Sequence, residues 1–352
     1  MKPPSFQSKP APPGRILFLL LAIVVFFAFS ASAQNDSSPA APLIPVRIAL
    51  QWLPQSQFAG FYMARDHGFY RDAGLDVTLI HTGPGPSSLD FLARGDADFA
   101  TMFLSDAIVA AEQTELVNIA QLAQRSSLML VGLKELGIHQ PADLDGKPIS
   151  YWQSAFSAAF EAFFRQQHVR PVAIPQHYSI NLFLCRGVAA CAAMHYNEYH
   201  RIYQAGIDYD DLTVFRMSDY GLDFPEDGLY ARAALARQQP DLCRALRQAT
   251  LAGWAYARAH PDEVVDTVLR ESQQADVPAN RPHTRWMLTH LLDSIFPTDA
   301  DPAAADPADP APPAGILQPR DYQATARALK NADLISRIPP YAQFAPLEGY
   351  TP

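Results

Sequence analysis

The chain has 352 residues, of which 49% are hydrophobic and 18% are charged, and its formal net charge is -9. This much apolar material excludes a globally disordered chain, and the length favours two lobes of ordinary domain size. Lys and Arg are scattered without a basic stripe, so the composition also argues against nucleic acid as a partner.

The first residues are typical of a secretory signal peptide. Basic residues precede an apolar run over residues 16–29, and small residues follow it up to Ala33. We therefore expect cleavage after Ala33, which removes residues 1–33 and leaves a polar, Pro-rich leader over residues 34–45. An uncleaved membrane anchor is the alternative, because the run approaches spanning length when residues 30–33 are counted. On the first interpretation the mature protein is periplasmic.

The predicted elements of the first half alternate between strands and helices. Strands are expected over residues 46–52, 75–81 and 98–103. The helix around Tyr62 and Met63 ends at Gly68, the next helix begins at Ser87 or Ser88, and a third over residues 107–113 is capped by Ser105 or Asp106. This alternation is typical of a parallel sheet covered by helices on both faces.

The same alternation recurs in the second half. Strands are predicted over residues 148–152, 173–177 and 189–194, and helices over residues 157–167, 240–260, 262–270 and 321–336. We expect lobe 1 to contain residues 46–140 with part of 225–352 and lobe 2 to contain residues 141–224, with crossovers near residues 132–144 and 217–230. Residues 297–313 are dominated by Ala, Asp and Pro, which predicts a disordered or extended surface insertion.

Ligands of open α/β sheets bind beyond the carboxyl ends of the strands, and this rule selects the candidate site. Many residues that follow the predicted strands are aromatic or carry an amide. Such residues suit a flat heterocycle that is stacked between rings and held at its edge by hydrogen bonds. The candidate ligand-binding residues are Trp52, Gln57, Phe58, Asp106, Trp152, Asn197, Glu198 and Tyr199.

Several of these candidates have a purely structural alternative. Glu198 can accept two hydrogen bonds from an amino-substituted ring, or it can sit at a solvated helix start that favours a carboxylate. Trp52 and Trp152 can equally be core residues. Asp106 can be a helix N-cap.

Signatures of enzymes and of metal sites are weak. His195 and His200 lack the Glu placement of a helical zinc motif, and no Gly-x-Ser-x-Gly nucleophile motif occurs. The sequence therefore predicts a binder without metal or cofactor, and not an enzyme. Cys185, Cys191 and Cys243 are expected to be core residues, with a bridge from Cys191 to either of the others as the alternative.

Several motifs resemble the thiamine-pyrimidine (hydroxymethylpyrimidine) binding family of ABC importers. Residues 51–64, Gln-Trp-Leu-Pro-Gln-Ser-Gln-Phe-Ala-Gly-Phe-Tyr-Met-Ala, carry most of the likeness, which continues through residues 95–99, 144–147, 196–199 and 227–230. The resemblance implies a type II periplasmic-binding fold, with two hinged α/β lobes and a ligand cleft between them. It also implies a thiamine-precursor pyrimidine such as formylaminopyrimidine as ligand, or a flavin as in some relatives, and an ABC permease as partner. We expect the protein to be a monomer.

Two other functions stay open at this point. The same superfamily contains a fungal pyrimidine synthase, but here Met102 and Asp106 stand at matching places and residues 220–228 contain no Cys-rich iron motif. A periplasmic sensor or accessory module is the other alternative, since the Ala-Pro insertion departs from a typical importer component. Conversion of a bound cofactor would distinguish a synthase from a binder, and neighbouring permease genes would favour import over sensing.

Overall fold

The computed structural model describes residues 42–153, 156–297 and 314–346. The expected signal peptide, the leader up to residue 41 and the expected insertion from residue 298 onward lie outside the described residues. Within the described ranges, no helix is both long enough and apolar enough to cross a membrane.

Ten strands in the described part of the chain form two five-stranded sheets. The strands are β1 (Ile44–Leu50), β2 (Leu75–His81), β3 (Phe99–Met102), β4 (Leu116–Ala123), β5 (Leu128–Leu133), β6 (Pro148–Tyr151), β7 (Val172–Pro175), β8 (Ala190–Met194), β9 (Leu212–Arg216) and β10 (Glu226–Arg232). The first sheet has the order β2-β1-β3-β10-β4, and the second has the order β7-β6-β8-β5-β9.

Helices cover these sheets and form the C-terminal part of the chain. They are α1 (Ala59–Asp66), α2 (Phe69–Asp72), α3 (Ser88–Arg94), α4 (Leu104–Ala110), α5 (Ser157–Gln166), α6 (Asn181–Leu184), α7 (Glu198–Gln204), α8 (Ala233–Gln238), α9 (Pro240–Ala259), α10 (Pro261–Gln274), α11 (Arg281–Ile295), α12 (Pro319–Asn331) and α13 (Tyr341–Phe344). Short 3-10 turns occur at Ser56–Phe58, Lys134–Leu136, Pro141–Leu144, Tyr209–Asp211 and Met217–Tyr220.

Both sheets are mixed, which corrects the expectation of parallel sheets. β10 is antiparallel to β3 and β4, and β5 is antiparallel to β8 and β9. β4 and β5 were not predicted because every residue in them is buried, so their sequences show no alternation between apolar and polar side chains.

The chain changes sheets at residues 124–127, between β4 and β5, and again at residues 217–225, between β9 and β10. The prediction that residues up to 140 belong to lobe 1 is therefore wrong, because β5 forms its ladders with β8 and β9 of the second sheet. We call the first sheet with its helices lobe 1 and the second sheet with α5 to α7 lobe 2.

The buried carboxylate of Glu226 ties the two crossing segments together. It accepts hydrogen bonds from the backbone N of Ser127 at 2.7 Å, from the Ser127 hydroxyl at 2.6 Å and from the Ser126 hydroxyl at 3.0 Å. Burial raises the pKa of Glu226 to about 8, while the hydrogen bonds from Ser127 oppose this rise. Because Glu226 directly follows the second segment and its side chain binds the first, we expect the lobes to rotate about a single hinge.

The long helix α9 packs against α1 at two glycines. A Cβ atom on Gly253 would lie 2.1 Å from the carbonyl oxygen of Gly60, so only glycine permits this approach. Trp254 beside it is buried in the core. This contact anchors the C-terminal helices to lobe 1.

All three cysteines are free. Cys191 and Cys243 are buried, as expected of core residues, but Cys185 is exposed. Cys185 follows directly after the short helix α6, between the half-buried Leu184 and the exposed Arg186, so its prediction as a core residue is wrong.

Candidate functional site

Two cavities of similar size lie at strand ends between the lobes, and each is lined from both. A further pocket between the lobes, whose walls include Gln55, Asn197, Arg201 and His283, holds only about 40 Å3. The first of the two cavities, which we call the tryptophan cavity, has a volume of about 280 Å3. It is lined by Trp52, Pro84 and Gly85 of lobe 1 and by Trp152, Gln153, Phe156, Pro175, Gln176 and His177 of lobe 2. Most of these residues stand at or just beyond the carboxyl ends of β1, β2, β6 and β7. This is the position expected for a ligand site in an α/β sheet.

The second, which we call the aspartate cavity, has a volume of about 300 Å3. The lining residues from lobe 1 are Gln51, Ser87, Ser88, Leu89, Met102, Phe103, Asp106, Val109, Ala110 and Gln113. Those from lobe 2 are Phe156, Ser157, Ala158 and Glu161, and Leu334 also lines the cavity. Its wall is therefore formed mainly by the first turns of α3, α4 and α5.

The predicted pair Trp52 and Trp152 meets across the cleft. The ring centroids are 6.3 Å apart and the ring planes are 82° apart, so one indole points its edge at the face of the other. The indole nitrogen of Trp152 donates to the carbonyl oxygen of His177 at 3.1 Å. The two faces are not parallel, so a heterocycle cannot stack between these two rings in this conformation. Both rings instead form walls of the tryptophan cavity.

Phe156 packs into the same aromatic group. Its ring centroid lies 5.7 Å from that of Trp52, 5.8 Å from that of Trp152 and 4.6 Å from that of Phe103. Its backbone has φ 64° and ψ 13°, in the left-handed region that bulky residues avoid. Such a conformation costs about 1 to 3 kcal/mol and persists only where surrounding contacts hold it.

Asp106 links the lobes instead of capping its own helix. The N-cap of α4 is Phe103, so Asp106 lies in the first turn, and the prediction of an N-cap at Ser105 or Asp106 is wrong. The Asp106 carboxylate accepts from the Ser105 hydroxyl at 3.1 Å, and it faces the backbone amides of Ser157 and Ala158, at the start of α5 in lobe 2, which lower its pKa. Burial nevertheless raises the pKa of Asp106 to about 6.

A buried polar network extends from the end of β1 to β10. The carboxylate of Asp227 accepts hydrogen bonds from the side-chain amides of Gln51 at 2.5 Å and Gln57 at 2.6 Å. Burial raises the pKa of Asp227 to about 7, and the two amide donors oppose the rise. Gln55 donates to the side-chain oxygen of Gln57 at 2.6 Å. The predicted site residue Gln57 therefore belongs to a network in lobe 1, and it is not among the residues that line either cavity.

Asn197 connects lobe 2 to helix α11. Its amide nitrogen donates to Glu198 Oε1 at 2.8 Å, which leaves its oxygen Oδ1 to accept from His283 Nε2 at 3.0 Å. A neutral His283 with its proton on Nε2 then accepts at Nδ1 from His200 Nδ1, 2.9 Å away. Burial, followed by the charge of Arg201, lowers the pKa of His283 to about 4.

The carboxylate of Glu198 is already engaged within the protein. Glu198 is the first residue of α7 and is buried, in contrast to the solvated helix start considered from the sequence. One oxygen accepts from the backbone N of Met194 at 3.0 Å and the other accepts from Asn197. Burial raises the pKa of Glu198 to about 7. Neither Glu198 nor Asn197 is among the residues that line the two cavities.

Two predicted residues lie away from the cavities. Phe58 is buried in lobe 1, where its ring centroid is 5.2 Å from that of His81. Tyr199 stacks on Tyr209, with ring centroids 4.7 Å apart, and Tyr209 is exposed. The structure therefore brings Trp52, Trp152 and Asp106 to the walls of the two cavities. Asn197 lines only the pocket of about 40 Å3, and the other four predicted residues lie in hydrogen-bond networks or in packing.

Sequence reasoning missed Gln51, Phe156 and Asp227. Gln51 and Asp227 both lie in motifs that carry the family resemblance, so a signal was present for them. Phe156 has no such signal, because neither its left-handed backbone nor its contacts with the opposite lobe follow from neighbouring residues.

The charge of the cleft restricts its ligands. Among the described residues, neither cavity is lined by Lys or Arg, whereas Asp106 and Glu161 line the aspartate cavity. In the described ranges, no group of three His, Cys, Asp or Glu side chains could hold a metal ion. A cavity of about 650 Å3 on lobe 1 is larger, but no residue of lobe 2 lines it and it borders Pro346, the last described residue. Closure of the lobes would not enclose a ligand there.

The chain is similar to one known family and to several known proteins. The model of the family described as NMT1/THI5 like matches residues 55–264. The chain is 25% identical to the formylaminopyrimidine-binding protein of Halalkalibacterium halodurans over 292 residues, which cover 80% of this chain and 86% of that protein. It is 23% identical to the riboflavin-binding protein RibY of Chloroflexus aurantiacus over 300 residues, 76% of this chain and 82% of that protein.

A solved structure shows the fold. The periplasmic aliphatic sulphonate binding protein SsuA of Escherichia coli matches with a TM-score of 0.60 at 15% identity, covering 86% of this chain and 91% of that one. The expected periplasmic-binding fold with two α/β lobes is thereby confirmed. The family resemblance found in the sequence is confirmed as well.

Proposed function

The chain belongs to the NMT1/THI5-like family, and we propose that it is the solute-binding component of an ABC importer, which captures a small heterocycle by closure of its lobes. The proposal places the protein in the periplasm, with a permease of the inner membrane as its partner. It assigns no catalytic step. Both curated relatives are named as binding proteins, which supports this choice over a synthase.

The observation that carries the proposal is the pair of cavities shared by the two lobes. Each cavity has walls from both sheets, so a ligand that fills one contacts both lobes only when they are closed. Such a ligand has a higher affinity for the closed form and shifts the population toward it. A permease can then recognise the closed shape.

The walls favour a neutral or cationic aromatic ligand. Aromatic rings supply flat apolar surface, while Gln153 and His177 can hydrogen-bond the edge of a ring. No described Lys or Arg lines either cavity, so a sulphonate or phosphate group would have no cation to pair with there. An amino-substituted pyrimidine meets these requirements, and the formylaminopyrimidine-binding relative supports that class. The riboflavin-binding relative makes a flavin the alternative ring.

Native mass spectrometry of the purified protein, followed by a thermal-shift panel, tests the proposal. We expect one unaltered heterocycle per chain, and a rise in unfolding temperature with aminopyrimidines but not with alkanesulphonates. A ligand present at 100 times its Kd adds about 2.7 kcal/mol to the free energy of unfolding, which is readily detected. Chemical conversion of the bound molecule would show an enzyme instead, and stabilisation by sulphonates alone would contradict the proposed ligand class.

A further inference from the structure

Phe156 stands on the boundary between the two cavities. On one side its ring contacts Trp52 and Trp152, which line the tryptophan cavity. On the other side it contacts Phe103, which lines the aspartate cavity. Phe156 lines both cavities itself and is only 4% exposed. Its phenyl ring therefore fills space that would otherwise connect them.

Contacts with the opposite lobe hold this ring in place. Phe156 has a left-handed backbone at φ 64°, and the next two amides, those of Ser157 and Ala158, face the carboxylate of Asp106 in lobe 1. Trp52 and Phe103 also belong to lobe 1. A bulky residue keeps such a conformation only where its surroundings over-determine it. The position of the Phe156 ring therefore depends on contacts that form only where the two lobes meet.

The volumes indicate what each compartment can hold. Cavities of about 280 and 300 Å3 lie at the lower end of the range for small-molecule sites, which runs from about 300 to 1,000 Å3. Each compartment is suited to a single substituted ring. A compartment formed by joining the two would lie well inside that range and would suit a fused-ring system.

We infer that Phe156 determines the size of the ligand: with its ring in place the cleft accepts a one-ring heterocycle, and without that ring it accepts a fused three-ring heterocycle. This inference rests on the proposed function, since it concerns the same cleft. Phe156 is a specificity-determining residue and takes part in no chemical step.

Calorimetric titration of the wild type and of Phe156→Ala with two neutral probes tests the inference. The probes are hydroxymethylpyrimidine, which has one ring, and lumichrome, which has three fused rings and no charged group. We expect Phe156→Ala to bind lumichrome at least about tenfold more tightly than the wild type, and to bind the pyrimidine about tenfold more weakly. The affinities of Phe156→Leu, which keeps apolar bulk, should lie between those of the wild type and of Phe156→Ala. This second variant tests the inference if Phe156→Ala does not fold.

Phe164→Ala is the matched control. Phe164 lies on α5, the helix that Phe156 precedes, and is buried against Tyr151, but it lines neither cavity. This variant should keep the wild-type ratio of the two affinities. An unchanged ratio in both Phe156 variants, or lumichrome binding by the wild type as tight as that of Phe156→Ala, would overturn the inference.

A separate outcome concerns the proposed function alone. If the wild type binds neither heterocycle, the proposed function fails, and the inference is then decided by crystal structures of the unliganded Phe156 variants. One continuous cavity in place of two would support the role of Phe156 as the partition, and two separate cavities would overturn it.

Discussion

The carboxylate of Asp106 in lobe 1 faces the backbone amide of Ala158 in lobe 2. Ala158 lies in the first turn of α5, where free amides and the helix dipole both favour a negative charge. Asp106 therefore caps a helix of the opposite lobe. The contact can form only when the lobes approach, so it stabilises the closed conformation.

We expect Asp106→Ala to weaken ligand binding by about 1.5 to 3 kcal/mol, the range for hydrogen bonds to a charged group. The loss arises because closure no longer gains this contact. Titration calorimetry measures the affinity, with Asp96→Ala as the control, since Asp96 pairs with Arg94 at the exposed surface and lines neither cavity. Equal effects of the two variants would show that Asp106 does not act through closure.

Ligand binding should change the fluorescence of the indoles in the cleft. Trp52→Phe should remove most of the ligand-induced change and weaken binding by about 0.5 to 1.5 kcal/mol, because the aromatic contacts with Trp152 and Phe156 are altered. Trp254→Phe is the control, since Trp254 is buried beside α1 and lines neither cavity. If the fluorescence change survives in Trp52→Phe, Trp52 is a core residue only.

Glu198→Gln should weaken binding of an aminopyrimidine by about 1 to 3 kcal/mol. The new amide group would bring an N–H donor against the backbone N of Met194 or the amide of Asn197, both of which already donate to this side chain. Asn197 would then lose its position between Glu198 and His283. Calorimetry on this variant and on Glu115→Gln, an exposed control that pairs with Arg237, measures the effect. An unchanged affinity for Glu198→Gln would show that the contact between Glu198 and Asn197 does not support ligand binding.

The neutral His283 predicts a loss of stability in acid. In the unfolded chain a histidine takes up a proton near pH 6.5, whereas burial holds the pKa of His283 at about 4 in the folded protein. Between these values the unfolded state binds more protons, so the free energy of unfolding falls as the pH is lowered from about 6.5 to about 4. The contribution of His283 is fully present above pH 6.5.

Urea unfolding of the wild type and of His283→Gln at pH 7.5 and at pH 4.5 isolates this contribution. The wild type should lose about 1 to 3 kcal/mol more than the variant on acidification. Other buried histidines, including His195, and the carboxylates with raised pKa values are shared by both proteins, so they cancel in the comparison. The same loss in both proteins would show that His283 is not held neutral by the fold.

Local signals were sufficient for most of the lobe 1 elements that lead into the cleft. The helix that begins at Ser88 has a capping box between Ser87 and Asp90, and Gly95 ends it in the left-handed conformation. β2 was predicted at its observed bounds, Leu75–His81. In contrast, β10 was placed in a crossover, because its position between β3 and β4 depends on pairing with residues more than a hundred positions earlier.

The sequence predicted only part of the candidate site. The rule that ligands lie beyond strand ends placed Trp52 and Trp152 at the cavity walls. It could not show that Asp106 reaches a helix of the other lobe, since a local N-cap explains the same residue type equally well. It also could not find Phe156, whose role depends on which rings the opposite lobe presents to it.

Titration calorimetry of the purified protein with hydroxymethylpyrimidine and with an alkanesulphonate tests the central claim most directly, namely that two lobes close on a neutral or cationic heterocycle without altering it. We predict saturable binding of one pyrimidine per chain, recovery of that pyrimidine unchanged, and no heat from the sulphonate. Binding of the sulphonate without binding of any heterocycle, or recovery of a chemically altered pyrimidine, would contradict the account.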